Sequence, residues 1–204
     1  MTPGPLSGEF LQGMQRIGLY GGSFDPIHVG HLLVARAAIE ELALDQLFFI
    51  PAAQSPFKPA SVPASAPARL QFLRLALAGQ TRCAVDAQEI SRGGVSYTID
   101  TVRDYLGRFS GAQMYWLIGA DHVATLPKWR EAAELARLVE FIVIARPGQT
   151  VIPLPPPFHG CALHGFPFGV SSSQIRERVK AGLSIDGLVP APVAEAIRNS
   201  GLYL

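Results

Sequence analysis

The sequence has only two cysteines, and they lie far apart at Cys83 and Cys161. Neither belongs to a Cys-x-x-Cys pattern, so the sequence does not indicate a disulfide framework or a cysteine-held zinc site. Two reduced thiols are what we expect of a cytoplasmic protein, and we predict that location.

The chain also lacks an excess of either charge, with 17 Lys and Arg against 16 Asp and Glu. A broad basic surface for DNA or RNA is therefore not expected. A local pocket for a phosphate group remains compatible with this balance, because such a pocket needs only a few cations. Apolar residues make up 49% of the chain, which is typical of a globular protein.

No apolar run in the sequence is long enough to cross a membrane. Residues 1–15 lack the basic start and the long apolar stretch of a signal peptide, and their prolines and glycines favour a flexible tail. We predict a single domain over 16–204. The start of the protein is left open between Met1 and Met14.

Short apolar runs alternate with helix-period patterns, which predicts βαβ units around a parallel sheet. Some runs, such as 47–50, are apolar throughout, as expected of strands covered by helices on both faces. We therefore predict an α/β fold, a Rossmann-like doubly wound parallel sheet of about five or six strands with helices on both faces. The predicted strands are 16–20, 46–50, 82–86, 113–118, 140–145 and 161–164, and the predicted helices are 30–42, 66–78, 98–109, 131–138, 172–181 and 192–199.

Residues 21–31 read Gly-Gly-Ser-Phe-Asp-Pro-Ile-His-Val-Gly-His and follow the first predicted strand. Glycines at a strand end let a phosphate approach the backbone, and the free N–H groups of the next helix attract it. His28 and His31 are three residues apart and therefore share one helical face. This pattern indicates a nucleotide phosphate site with two imidazoles directed into it; capping or core histidines are the alternative.

Two further polar turns, at 119–121 and 146–148, follow other predicted strands. In an open parallel sheet, ligands bind beyond the carboxyl ends of the strands, where the strand order reverses. We therefore expect all three turns to meet at one site.

The segment 21–31 resembles the signature of the nucleotidyltransferase superfamily that carries a His-x-Gly-His motif. Five further segments occur in the order and spacing of the bacterial nicotinate mononucleotide adenylyltransferases, a family of that superfamily. They are Ser-Tyr-Thr-Ile-Asp-Thr at 96–101, Leu-Ile-Gly-Ala-Asp at 117–121, Leu-Pro-Lys-Trp at 126–129, Ala-Arg-Pro-Gly at 145–148 and Val-Ser-Ser-Ser-Gln-Ile-Arg at 170–176. The resemblance extends over essentially the whole predicted domain.

The resemblance implies that ATP and nicotinate mononucleotide react to give nicotinate adenine dinucleotide and pyrophosphate, the adenylyl step of NAD synthesis. The phosphate monoester of the mononucleotide is an anion near neutral pH, so it needs no general base to attack the α-phosphorus. The protein must align two anions and stabilise charge on the leaving pyrophosphate. We expect Mg²⁺ to arrive with ATP rather than in a site held by the protein, since it bridges phosphates and takes few protein ligands.

The residues that the resemblance implies for catalysis on the ATP phosphates are His28, His31, Lys58 and Arg176. His31 is expected nearest the α-phosphate. Lys58 follows Phe57, where the family often has a histidine, and either closes over the phosphates or is a solvated lysine. Arg176 follows a serine run that ends in Ser173, where the family usually has threonine; an ordinary helix cap with a surface arginine is the alternative.

The residues expected to bind ATP are Gly21, Gly22, Ser23, Phe24, Gly119, Asp121, Arg146, Ser172 and Ser173. Asp121 can accept hydrogen bonds from ribose hydroxyls or cap a helix. The resemblance implies that Thr98 and Trp129 hold the pyridine nucleotide, since they match the family positions that do so. An indole face can stack on a pyridine ring. A core role for Trp129 is the alternative, and the sequence does not identify the donors for the acid group.

Three other functions stay open. A related transferase would use another acceptor, such as nicotinamide mononucleotide or phosphopantetheine. A nucleotide-binding sensor without turnover is disfavoured by the intact histidine pair, and an RNA-binding relative of the class I aminoacyl-tRNA synthetases is disfavoured by charge and length. The expected partners are the small molecules ATP and nicotinate mononucleotide, without nucleic acid or membrane; the sequence allows an oligomer.

Overall fold

The computed structural model describes residues 14–56, 63–149, 152–166 and 168–204. Its strands are β1 (Arg16–Gly22), β2 (Gln46–Pro51), β3 (Cys83–Val85), β4 (Gln113–Gly119), β5 (Glu140–Ile144) and β6 (Gly160–Ala162). They form one sheet in the order β3-β2-β1-β4-β5-β6, and every pairing is parallel. The predicted α/β Rossmann-like fold is confirmed, and each predicted strand is present with small shifts at its ends.

The α-helices are α1 (Val29–Glu41), α2 (Ala66–Leu77), α3 (Gln88–Arg92), α4 (Thr98–Arg108), α5 (Ala132–Leu138), α6 (Ser172–Lys180) and α7 (Ala191–Ser200). A 3₁₀ helix, Ala120–Lys128, follows β4. The sequence analysis missed α3 and the 3₁₀ helix. Helix α3 is too short to show a helical period, and a 3₁₀ helix has three residues per turn rather than 3.6.

Both faces of the sheet are buried, which explains the continuous apolar runs. Leu47 and Phe49 of β2 pack into one core with α1, α2, α6 and α7. Phe48 and Ile50 point the other way, into a second core with α4, α5 and the 3₁₀ helix. Because successive side chains of a strand alternate between faces, a strand between two helical layers must be apolar at every position.

Strand β1 is the point where the strand order reverses, since β2 lies on one side of it and β4 on the other. The carboxyl ends of β1, β4 and β5 therefore lie next to one another at one edge of the sheet. Ligands bind at this position in doubly wound folds. The glycine turn after β1, Gly119 at the end of β4 and Arg146 after β5 share that edge.

Two sequence predictions are not tested by this description. The predicted tail, 1–15, lies outside the described residues apart from Met14 and Gln15, and the single domain over 16–204 stays a prediction. Within the described ranges, every helix is too short or too polar to cross a membrane.

Candidate active site

A cavity of about 590 Å³ opens at the switch point of the sheet. Its volume is in the range of small-molecule sites. Every predicted site residue that the structure describes lines it. These residues are Gly21, Gly22, Ser23, Phe24, His28, His31, Thr98, Gly119, Asp121, Trp129, Arg146, Ser172, Ser173 and Arg176. The remaining predicted residue, Lys58, lies outside the described residues.

His28 and His31 stack on each other at the start of α1, with ring centroids 3.6 Å apart. His28 is the N-cap residue of α1, and its backbone N–H donates to Nδ1 of His31 at 3.2 Å. Because Nδ1 of His31 accepts this hydrogen bond, the proton of the neutral ring lies on Nε2. His31 therefore caps the helix with one nitrogen and has an N–H donor at the other, so a capping role and a ligand role are compatible.

Gly30 makes room for the His28 ring. A Cβ atom at position 30 would lie 3.0 Å from Nδ1 of His28 and 3.1 Å from its Cε1. Nδ1 of His28 is itself buried, and it makes no hydrogen bond within the described part of the chain. The glycine of the His-x-Gly-His motif thus has a steric reason: a side chain at position 30 would press against the ring of His28.

Both histidines are neutral at pH 7. Burial lowers the pKa of His28 to about 4, with a smaller contribution from the charge of Arg146. Burial also holds the pKa of His31 well below its ordinary value, and His28 and Arg146 lower it further. A polyphosphate in the cavity would favour the charged rings and raise both pKa values.

The depressed pKa of His28 predicts that stability falls as the solution is acidified. The unfolded chain binds a proton at this residue below pH 6.5, whereas the folded protein binds it only below about 4, so stability is lost as pH falls through this window. Between pH 7 and pH 5 the wild type should lose about 2 kcal/mol more than a His28→Gln variant. Urea unfolding of both proteins at the two pH values measures this difference; equal losses would contradict a neutral buried His28.

A second helix start, that of α6, faces the same cavity. The hydroxyl of Ser171 accepts the backbone N–H of Gln174, and the Gln174 side chain accepts the backbone N–H of Ser171, at 3.3 and 2.9 Å. The hydroxyl of Ser172 donates to the carbonyl of Pro26 at 2.9 Å, which joins the start of α6 to the loop after β1. Two positive helix ends therefore converge on one cavity, an arrangement that attracts anions.

Arg176 lies in the wall of the cavity rather than on an open surface. Its Nη1 donates to the carbonyl of Asp25 at 2.7 Å, and its Nη2 donates to the hydroxyl of Ser173 at 3.3 Å. These bonds fix the plane of the guanidinium and leave other N–H groups for a ligand. Arg176 is half-buried, and the helix cap that the alternative expected is also present, because Ser171 is the N-cap residue of α6.

Gly119 and Asp121 lie where β4 ends. A Cβ atom at position 119 would lie 2.4 Å from Oδ1 of Asp121, so the carboxylate folds over this glycine. Gly119 is the N-cap residue of the 3₁₀ helix, and the alternative role of Asp121 as that cap is wrong. After β5, the backbone N–H of Arg146 donates to the Gln149 side chain at 3.1 Å, which closes a turn beside the cavity.

The opposite end of the cavity holds Thr98, the first residue of α4, and Trp129, which follows the 3₁₀ helix. The indole of Trp129 donates from Nε1 to the hydroxyl of Thr125 at 3.3 Å and packs edge-on against the buried ring of Phe141. It is half-buried, so part of it belongs to the core while another part lines the cavity.

The sequence analysis missed three charged residues that line the cavity at this end, Lys128, Arg130 and Glu89. Arg130 lines the cavity, and its guanidinium lies 4.8 Å from the ring centroid of Tyr97. Glu89 is buried, accepts a 2.6 Å hydrogen bond from Thr101, and has its pKa raised by burial. The position of Arg130 beside Trp129 could have identified it, whereas Glu89 lies in the short helix that showed no period.

Known proteins resemble this chain in sequence over most of its length. A sequence model of the cytidylyltransferase-like family matches residues 19–178. A relative from Opitutus terrae named "probable nicotinate-nucleotide adenylyltransferase" is 42% identical over 194 residues, covering 92% of this chain and 97% of the relative. A relative of the same name from Bordetella pertussis is 44% identical over 200 residues, covering 94% and 99%.

A solved structure supports the fold. It is that of Plasmodium falciparum nicotinic acid mononucleotide adenylyltransferase complexed with NaAD, which matches with a TM-score of 0.74 at 19% identity. The match covers 93% of this chain and 97% of that one. The doubly wound architecture is therefore shared over almost the whole length of both proteins.

Proposed function

This chain belongs to the cytidylyltransferase-like family and, with its relatives, to the nicotinate-nucleotide adenylyltransferases, and from that premise we propose that it joins ATP and nicotinate mononucleotide. The products are nicotinate adenine dinucleotide and pyrophosphate, so the reaction is a step of NAD biosynthesis. One observation carries the proposal: two helix starts and a stacked pair of neutral histidines converge on a single cavity.

The triphosphate of ATP lies between the starts of α1 and α6 in this proposal. The Nε2–H of His31 donates to an oxygen of the α-phosphate, with His28 beside it. The serines at the start of α6 and the guanidinium of Arg176 hold the β- and γ-phosphates. Lys58 stays a prediction as a further phosphate ligand.

The reaction follows from this placement. A phosphate oxygen of the mononucleotide forms a bond to the α-phosphorus while the bond from that phosphorus to the bridging oxygen breaks. Pyrophosphate leaves with the electron pair, and the fixed donors around it stabilise the charge that develops. The nucleophile is already an anion, so the protein contributes alignment and electrostatic stabilisation rather than a general base.

The nucleosides extend to either side of the phosphates. Gly119 admits the adenosine against the backbone, and Asp121 accepts from its ribose hydroxyls. At the other end, the Trp129 indole stacks on the pyridine ring next to Thr98. Arg130 lies near this end, and although its guanidinium is 3.6 Å from Asp100 and 3.7 Å from Glu131, its remaining N–H groups favour the acid form of the pyridine over the amide.

Mg²⁺ enters this proposal as part of the substrate, MgATP, because the ion bridges nucleotide phosphates and keeps most of its ligands as water. Among the described residues, no group of three or more His, Cys, Asp or Glu side chains could hold a metal ion. We place the reaction in the cytoplasm, in keeping with the two free cysteines.

The test is to incubate the protein with MgATP and one acceptor at a time, and to identify the products by mass. Nicotinate mononucleotide should give the dinucleotide and pyrophosphate at a rate far above that of nicotinamide mononucleotide. Equal rates with nicotinamide mononucleotide, or turnover with phosphopantetheine alone, would show that the acceptor is assigned wrongly. The assignment as an adenylyltransferase would still hold. ATP binding without turnover of any acceptor would instead indicate a nucleotide-binding sensor.

Gly30→Ala should separate stability from activity. Alanine favours a helix over glycine by up to about 1 kcal/mol, but the new Cβ pushes the His28 ring. We expect kcat/KM for ATP to fall about tenfold with no loss of thermal stability. Gly107→Ala in α4 is the matched control, because a Cβ there meets nothing within 4 Å. Equal activity of both variants would show that the position of the His28 ring, for which Gly30 makes room, does not affect turnover.

A further inference from the structure

The buried carboxylate of Asp25 contacts three other segments of the chain and has no role in the proposed mechanism. Its Oδ1 accepts the phenol O–H of Tyr203 at 2.6 Å and the backbone N–H of Ala64 at 3.1 Å. Its Oδ2 lies 3.8 Å from Nη1 of Arg176. Only 7% of Asp25 is exposed, so these contacts replace water around a charged group.

Two arginines bind the carbonyls on either side of Phe24. Nη1 of Arg176, from α6, donates to the carbonyl of Asp25 at 2.7 Å. Nη1 of Arg69, from α2, donates to the carbonyl of Ser23 at 2.9 Å. Arg69 is 2% exposed, and the charge of Asp25 counteracts the effect of burial on its pKa. The loop that leads from β1 to the two histidines is thus held at two peptide groups, one before and one after Phe24.

The network also holds two residues in an unusual backbone conformation. Phe24 and Tyr203 both have positive φ, at 47° and 70°, although neither is a glycine. Such conformations persist when the surrounding contacts over-determine them, and they cluster at functional sites. The hydrogen bond from Tyr203 to Asp25 joins the two strained segments directly.

We propose that Asp25 and Tyr203 are positioning residues for the adenylyl-transfer site. The phenol of Tyr203 holds the Asp25 carboxylate, and Asp25 in turn sets the guanidinium of Arg176 and the loop before His28. Neither side chain has to contact the substrate for this role. This inference rests on the proposed function, because it assumes that Arg176 binds the phosphates of ATP.

The test is Tyr203→Phe, which removes one hydroxyl and keeps the ring. We expect kcat/KM for ATP to fall about tenfold, since Arg176 and the histidine loop lose their fixed positions. The KM for nicotinate mononucleotide should stay within about twofold of the wild type, because Thr98 and Trp129 belong to α4 and the segment after the 3₁₀ helix, which supply none of the hydrogen bonds of this network. Asp25→Asn, which keeps the oxygen acceptor, should show a smaller loss than Asp25→Ala.

Tyr105→Phe is the matched control. Tyr105 also donates to a carboxylate, that of Asp86, at 2.7 Å, and neither residue lines the cavity. This variant should lose stability without any change in kinetic constants. Tyr203→Phe kinetics equal to the wild type, or a uniform loss for both substrates, would overturn the inference.

A second measurement separates this inference from the proposed function. Calorimetry with a non-hydrolysable ATP analogue needs no acceptor and no turnover. Weaker binding by Tyr203→Phe than by Tyr105→Phe supports the positioning role even if another acceptor replaces nicotinate mononucleotide. Equal binding and equal turnover of both variants would overturn it while leaving the adenylyltransferase assignment in place.

Discussion

Replacement of His31 by alanine is expected to lower kcat about 100-fold to 1,000-fold, the usual cost of removing one fixed donor to a developing charge. The Nε2–H of His31 is that donor, because Nδ1 is already occupied by the backbone N–H of His28. The measurement is steady-state release of pyrophosphate at saturating MgATP and acceptor. The variant should fold, because removal of the imidazole ring enlarges the cavity and leaves both hydrophobic cores filled.

His31→Asn separates the two roles of this ring. The asparagine oxygen can accept the His28 N–H in place of Nδ1, but its NH₂ group lies closer to the backbone than Nε2 and does not present a donor at the same position. We expect the stability of the wild type with the low kcat of the alanine variant. His164→Asn is the control, since His164 is exposed and contacts Glu41 away from the cavity. Full turnover by a folded His31→Asn variant would exclude His31 from catalysis.

Arg176→Lys should raise the KM for ATP about tenfold or more and lower kcat as well. A guanidinium donates in two directions at once, to the Asp25 carbonyl and to Ser173, and still presents N–H groups to a phosphate. A lysine keeps the charge but has a single nitrogen, so it cannot hold the loop and the phosphate together. Initial rates over a range of ATP concentrations give both constants.

Arg178→Lys provides the comparison on the same helix. Arg178 donates from Nε to the carbonyl of Ser184 at 2.8 Å and does not line the cavity at the switch point. It should change stability slightly and leave the kinetic constants unchanged. If both lysine variants keep wild-type constants for ATP, the guanidinium of Arg176 has no part in phosphate binding.

The architecture and the position of the site could be predicted because both follow from local patterns. Continuous apolar runs between helical periods indicate a buried parallel sheet, and carboxyl ends of parallel strands meet at one edge. This rule brought Gly21, Gly119 and Arg146 to one cavity although they are distant in sequence. A motif that contains both the turn and the start of the helix can be recognised in the sequence without information on tertiary contacts.

The supporting contacts could not be predicted, because they join residues that no local pattern connects. Tyr203 and Asp25 are 178 positions apart, and nothing near either residue indicates the other. The same holds for Arg69, whose place in an amphipathic helix predicts a solvated side chain, whereas the structure buries it against two carbonyls. Tertiary packing determines the burial and the hydrogen-bond partners of these side chains, and the hydrophobic period of the sequence contains no information on that packing.

The central claim is that two helix starts and a stacked histidine pair hold the triphosphate of ATP. The most direct measurement is a crystal structure of the protein with Mg²⁺ and a non-hydrolysable ATP analogue. The account predicts the α-phosphate within hydrogen-bond distance of Nε2 of His31, and the β- and γ-phosphates at the start of α6 beside Arg176. Phosphates bound outside this cavity, or within it but away from both helix starts, would contradict the account.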